Sequence, residues 1–198
     1  LGPEDLPAFD VDYPMVLLGE RIFGSSADHV TMANVAAAKA ATEHLLSRGR
    51  RRIALVGAHE GEQVGSARLR TEGYLEALRE AGIEPDPALI AEAGLWHRST
   101  GAEAMAALLD SGTEIDAVFA LNDALALGAL HTLHARRIDV PSQIAVIGFD
   151  DIDEARYAFP PLTSVHPGRD EIAASAVRLL QERIENRGAA KPPVSVVA

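Results

Sequence analysis

Short β-branched apolar runs in this sequence are each followed by a longer segment of helical periodicity, and that alternation constrains the fold more than any other feature. The runs at 15–18, 53–56 and 117–120 precede helical patterns at 35–46, 69–81 and 124–133. Such alternation builds βαβ units on a parallel sheet. The segments 52–57 and 143–148 are nearly all apolar, as strands are when helices cover both sheet faces. The expected fold class is open, doubly wound α/β. Gly49, Gly82 and Gly188 each follow a helical pattern, where a left-handed C-cap is favoured. In the last helix Ile172, Ala176, Leu179, Leu180 and Ile184 form a stripe expected to be buried, with Glu171, Arg178 and Glu185 opposite. Pro160-Pro161 and Lys191-Pro192-Pro193 break the chain and read as crossings between two lobes, the second before a short β-type run at 194–197.

Of 198 residues, 47% are hydrophobic and 24% charged, enough to bury a core. The formal net charge of −11 repels a polyanion, so this segment is expected to be a poor DNA binder by itself. With no cysteine, disulfides and thiolate metal sites are excluded. No apolar run approaches the roughly 20 residues of a membrane helix, and the first residues lack the pattern of a signal peptide. The chain has no initiating Met, and its first strand arrives without a preceding element; a fragment of a longer protein is expected.

Ligands of open α/β sheets bind outside the carboxyl ends of the strands, so the polar residues following each apolar run are the candidates. There the sequence places Ser66 and Arg70, the only tryptophan Trp96, Asn122-Asp123, and Phe149-Asp150-Asp151. An arginine, an indole plane, an amide and a carboxylate suit a hydroxyl-rich ligand: the charged groups bond vicinal hydroxyls, and the indole covers the C–H face of a ring. Each also has a plain structural reading. Arg70 can be a solvated helix residue, Trp96 core, Asn122 an N-cap, and Asp150 or Asp151 a cap.

Catalytic constellations are not evident. His131 and His134 share a helix face without a carboxylate or cysteine at zinc-ligand spacing, so no metal is expected. Gly57, Gly61 and Gly65 do not form the dinucleotide fingerprint, no phosphate loop occurs, and neither Gly24-Ser25-Ser26 nor Gly65-Ser66 completes a nucleophile elbow. Neither enzymatic activity nor a cofactor is expected.

From about residue 14 to 197 the chain resembles the regulatory domain of lactose-repressor/galactose-repressor family transcriptional regulators. The colinear segments are Glu43-His44-Leu45-Leu46 with Gly49 and Arg52-Ile53-Ala54; Ser66-Ala67-Arg68-Leu69-Arg70 with Gly73-Tyr74; and Ala120-Leu121-Asn122-Asp123 with Ala126-Leu127-Gly128-Ala129. Val140-Pro141, Val146-Ile147-Gly148-Phe149-Asp150-Asp151 and Pro160-Pro161-Leu162-Thr163-Ser164-Val165 follow in order. The resemblance implies a periplasmic-binding-protein-like fold of two lobes with parallel sheets flanked by helices, the N-terminal lobe incomplete. It assigns 1–51 to the remainder of that lobe, 52–160 to the C-terminal lobe, 161–191 to a return segment of the first, and 192–198 to a final strand of the second.

It further implies a cytoplasmic homodimer that binds a small-molecule effector between its lobes, with a sugar leading and a nucleoside or purine behind. Operator DNA is read by a helix-turn-helix domain outside this segment. Family effector contacts fall on Arg70, Trp96, Asn122 and Asp150, with Ser66 weaker; the dimer surface falls on the helix bearing Leu125 and Leu127 and on the loop near Tyr157. Where many members carry Asp-Asn before the first helix, this chain has Ala33-Asn34, which leaves that aspartate's contact without an equivalent. A solute-binding protein for sugar transport, of the same fold, is the alternative.

Overall fold

A computed structural model describes residues 3–186 and 192–197; the expected C-cap at Gly188, and Lys191, lie outside them. The chain divides into two compact units. Unit 1 comprises residues 1–33, 63–66 and 167–198, and unit 2 comprises residues 34–62 and 67–166.

Unit 2 is built on five parallel strands in the order β4-β3-β5-β6-β7. They are β3 (Ile53–Ala58), β4 (Ile90–Glu92), β5 (Ala117–Ala120), β6 (Ala145–Phe149) and β7 (Thr163–Val165). Ile53 pairs with Ala117, Ala117 with Ala145, and Ile147 with Thr163. Every residue of β3 and β5 is buried, the consequence of their all-apolar sequences and central position. Helices α1 (Asn34–Ser47), α2 (Ser66–Glu80), α3 (Arg98–Asp110), α4 (Asp123–Ala135) and the short α5 (Asp153–Tyr157) flank the sheet. Gly49 and Gly82 end α1 and α2 at φ +85° and +70°, the left-handed C-caps expected.

Small residues set the helix contacts. A Cβ at Gly73 would collide with the Val35 carbonyl, so α1 and α2 touch backbone to backbone. Gly101 and Gly128 do the same for α3 and α4, where a Cβ would strike the Leu125 and Arg98 carbonyls. The phenol of Tyr74, fully buried, donates to the Ile53 carbonyl at 2.8 Å and fastens α2 to the sheet.

Unit 1 carries a three-stranded parallel sheet, β1-β2-β8, with β1 (Val16–Leu18), β2 (Asp28–Thr31) and β8 (Ser195–Val197), and helix α6 (Arg169–Glu185). The all-buried β2 holds its neighbours through Asp28, whose carboxylate accepts two bonds from Arg183 of α6, at 2.7 and 2.6 Å, and the Val194 N–H at 2.8 Å.

These facts move the expected boundaries. The first lies at 33/34 rather than 51/52, because α1 packs with unit 2. Pro160-Pro161 lies inside unit 2, since β7 follows it and pairs with β6; the chain changes unit after His166. The final strand joins unit 1, because β8 pairs with β2. The stripe on α6 is also less covered than expected. Of its residues only Leu179 is buried, and Ile184 is 54% exposed, because three short strands shield little of a 17-residue helix.

Candidate functional site

The carboxyl ends of β3, β5 and β6 in unit 2 carry the candidate site. Arg70, one turn into α2, is 2% exposed rather than a solvated helix residue. Its Nε donates to Asn34 Oδ1 at 2.7 Å, and its Nη1 donates to the Leu121 carbonyl and lies 3.6 Å from Asp150 Oδ1. The guanidinium plane rests on the Phe149 ring, 3.6 Å from its centroid, and lies 5.6 Å from that of Trp96. A buried guanidinium held by an amide, a carbonyl, a carboxylate and aromatic faces is fixed in direction, which long surface arginines are not.

Trp96, half-buried in the loop between β4 and α3, is oriented by an Nε1 bond of 3.0 Å to the Gly57 carbonyl. Asp150 follows β6 and keeps 34% of its side chain exposed. Its φ is +114° and that of Asp151 is +46°. Such values cost a non-glycine residue about 1–3 kcal/mol each and persist only where the surroundings over-determine them. The backbone therefore spends stability to present this carboxylate.

Arg70, Trp96 and Asp150 are thus brought together. Asn122 takes the plainer role weighed for it: its Oδ1 accepts the Leu125 N–H at 2.8 Å and caps α4. Ser66 lies in unit 1, where its hydroxyl donates to the buried Glu20 carboxylate at 3.0 Å. Leu125, expected on a dimer surface, is fully buried instead, since its carbonyl faces Gly101 and its side chain Gly57. Leu127 is half-buried and Tyr157 is 81% exposed.

Three residues of the site carry roles that the sequence did not assign. Phe149 supplies the face on which Arg70 lies. Asn34 is the retained member of the family's Asp-Asn pair, next to the altered Ala33, and its amide oxygen anchors Arg70. Asp123, at the start of α4, is fully buried. It accepts the Ser164 hydroxyl at 2.7 Å and the Ile152 N–H at 2.9 Å, and desolvation pushes its carboxyl above the ordinary carboxylate range against those two bonds. The doublet Asn122-Asp123 was the available signal, but it points to a role for Asn122 alone.

Chemically, the arrangement offers a fixed cation, an anion and an indole face. That set suits a neutral polyhydroxylated ring, through charge-assisted hydrogen bonds and stacking.

Comparison with known proteins bears on the family and the fold. The profile of the periplasmic binding protein-like domain matches residues 42–198. A helix-turn-helix-type transcriptional regulator from Thermobifida fusca, CelR, is 38% identical over 169 residues, covering 85% of this chain and 48% of that protein. The chain spans about half the length of the curated relatives it matches. Among solved structures, a LacI-family transcriptional regulator from Sanguibacter keddieii superposes with a TM-score of 0.89 at 52% identity, covering 96% of this chain and 70% of that one. A CelR–cellobiose complex gives 0.82 at 35% identity, with 92% and 55% covered.

Proposed function

Because this chain belongs to the LacI family of transcriptional regulators, we propose that it is the effector-sensing core of a DNA-binding repressor and that unit 2 contributes Arg70, Trp96 and Asp150 to the effector site. The observation that carries this reading is the buried Arg70 guanidinium, stacked on Phe149 and facing Asp150 across 3.6 Å. Asn34, the Leu121 carbonyl and the Phe149 ring fix the direction of that cation beside the Asp150 carboxylate, and a hydroxyl-bearing ring can both donate and accept at such a pair. A sugar is the leading effector class, with nucleosides and purines next; the cellobiose complex of the related CelR supports the first.

Effector occupancy controls operator binding by a helix-turn-helix domain of the whole regulator, which works in the cytoplasm as a homodimer. Among the described residues no helix is long and apolar enough to cross a membrane. The coupling follows from linkage: an effector changes operator affinity by as much as its own affinity differs between the DNA-competent and incompetent states. Leu127 and the exposed Tyr157 belong to the dimer surface. Asn122 joins the three principal contacts as a secondary one, through whatever capacity its present bond leaves, and Ser66 is a weaker effector contact carried by unit 1.

Titration calorimetry of the full chain with cellobiose, ribose, cytidine and guanine tests the reading. One of these binds the wild type, and Arg70→Ala and Asp150→Ala each weaken that binding by roughly tenfold or more. Unchanged affinity in both variants overturns the assignment.

A further inference from the structure

The turn that presents Asp150 is fastened to one buried acid. Asp123 takes the Ser164 hydroxyl on Oδ1 at 2.7 Å and the Ile152 N–H on Oδ2 at 2.9 Å. The same Ser164 Oγ accepts the Asp151 N–H at 2.9 Å. The serine proton is thereby directed at Asp123 and a lone pair at Asp151, so two consecutive amides of the turn depend on Asp123, one directly and one through Ser164.

These are the amides that immediately follow Asp150 and Asp151, the two residues at positive φ. The amide of Asp150 itself donates to the Val165 carbonyl at 3.0 Å. A Cβ at Gly148 would collide with Asp123 Oδ1, so the end of β6 is laid directly on that carboxylate. The Ser164 hydroxyl and the Ile152 N–H are neutral donors, and burying a carboxylate against neutral donors is costly unless its directional bonds do something an apolar side chain could not.

We propose that Asp123, with Ser164 as its relay, is a positioning residue that holds residues 149–152 in their left-handed turn and thereby keeps the Asp150 carboxylate facing Arg70. The proposal rests on the reading of Arg70 and Asp150 as effector contacts. Asp123 touches no effector; it acts through Asp150.

The test compares Asp123→Asn, Ser164→Ala, Ser164→Thr, Asp150→Ala and the double variant Asp123→Asn/Asp150→Ala in the full chain. By NMR, amide exchange at Asp151 and Ile152 accelerates roughly tenfold or more in Asp123→Asn, while the amides of Leu55 and Phe119 in the sheet stay as in the wild type. Ser164→Ala does the same, and Ser164→Thr, which keeps the hydroxyl, restores slow exchange. The Arg70 Nε–H resonance moves in Asp123→Asn in the direction it moves in Asp150→Ala. In calorimetry with cellobiose, or with whichever other member of the panel binds, Asp123→Asn weakens affinity roughly tenfold. The double variant binds no more weakly than Asp150→Ala alone.

Additive losses in the double variant overturn the proposal, since a purely structural acid would act independently of Asp150. If the wild type binds no compound of the panel, the effector reading fails, and the exchange rates and the Arg70 resonance decide the positioning role alone. An Arg70 resonance unmoved by Asp123→Asn then overturns it.

Discussion

The guanidinium carbon of Arg70 lies 3.6 Å from the ring centroid of Phe149, the residue that immediately precedes Asp150. A planar cation can stack on that ring and still direct its N–H groups at Asn34 and Leu121; an ammonium cannot do both. Arg70→Lys is therefore expected to cost about 2 kcal/mol in chemical denaturation, from the lost desolvated cation–π contact and orphaned acceptors. Equal denaturation midpoints for variant and wild type would remove the stacked arginine as a structural element of unit 2.

The α3–α4 contact tolerates no extra carbon. At Gly128 a Cβ would collide with the Arg98 carbonyl, which is backbone and cannot rotate away. Gly128→Ala should destabilise by about 1–3 kcal/mol in spite of the better helix propensity of alanine. Thermal unfolding of the variant measures it, and a raised midpoint would contradict the close approach.

Asp28 should contribute to the pH response of unit 1. Hydrogen bonds from Arg183 hold its carboxyl below the ordinary value of 3.8, against the opposing effect of desolvation. A carboxyl depressed in the folded state contributes stability that is complete above its unfolded value and is lost as the pH falls through the folded one. Stability should therefore fall on acidification below about pH 4. Asp28→Asn should flatten that loss and cost about 2 kcal/mol at neutral pH, through the missing charge-assisted bonds. Denaturation curves at pH 6 and pH 3 for both proteins provide the check; identical acid losses would show that Asp28 does not carry the effect.

Tyr157 leaves 81% of its surface in solvent, a large exposure for an aromatic ring next to the equally exposed Phe159. If these rings and Leu127 meet a second copy, Tyr157→Ala should weaken dimerisation by about 2 kcal/mol, the range of a central aromatic contact. Sedimentation velocity across a concentration series reads this directly. Wild-type protein that is monomeric throughout removes the dimer from the proposed function.

Most strands and helices were legible because hydrophobic periodicity records local structure, although β2 and α3 were not read from it; strand ends pointed to Arg70, Trp96 and Asp150 as candidates. What an element packs against is not recorded in that way. The stripe on α1 announces a buried face without saying which sheet it meets, so residues 34–51 were expected in the wrong unit. Residues 195–197 are too few to reveal that they pair with β2. Leu125 and Leu127 stand two residues apart, and only the position of α3 decides that Leu125 is core. The role of Asp123 was not legible for a similar reason: a helix-starting Asp is ordinary, and its partners Ser164 and Ile152 lie 41 and 29 residues away.

The fastening of residues 150–152 by backbone and buried groups has a thermodynamic consequence for recognition. The turn is ordered when unit 2 folds, so its conformational entropy is lost then and not on the arrival of a ligand. Effector binding should accordingly show a small heat-capacity change, set by the surface that ligand and protein bury together, with no component from ordering the turn.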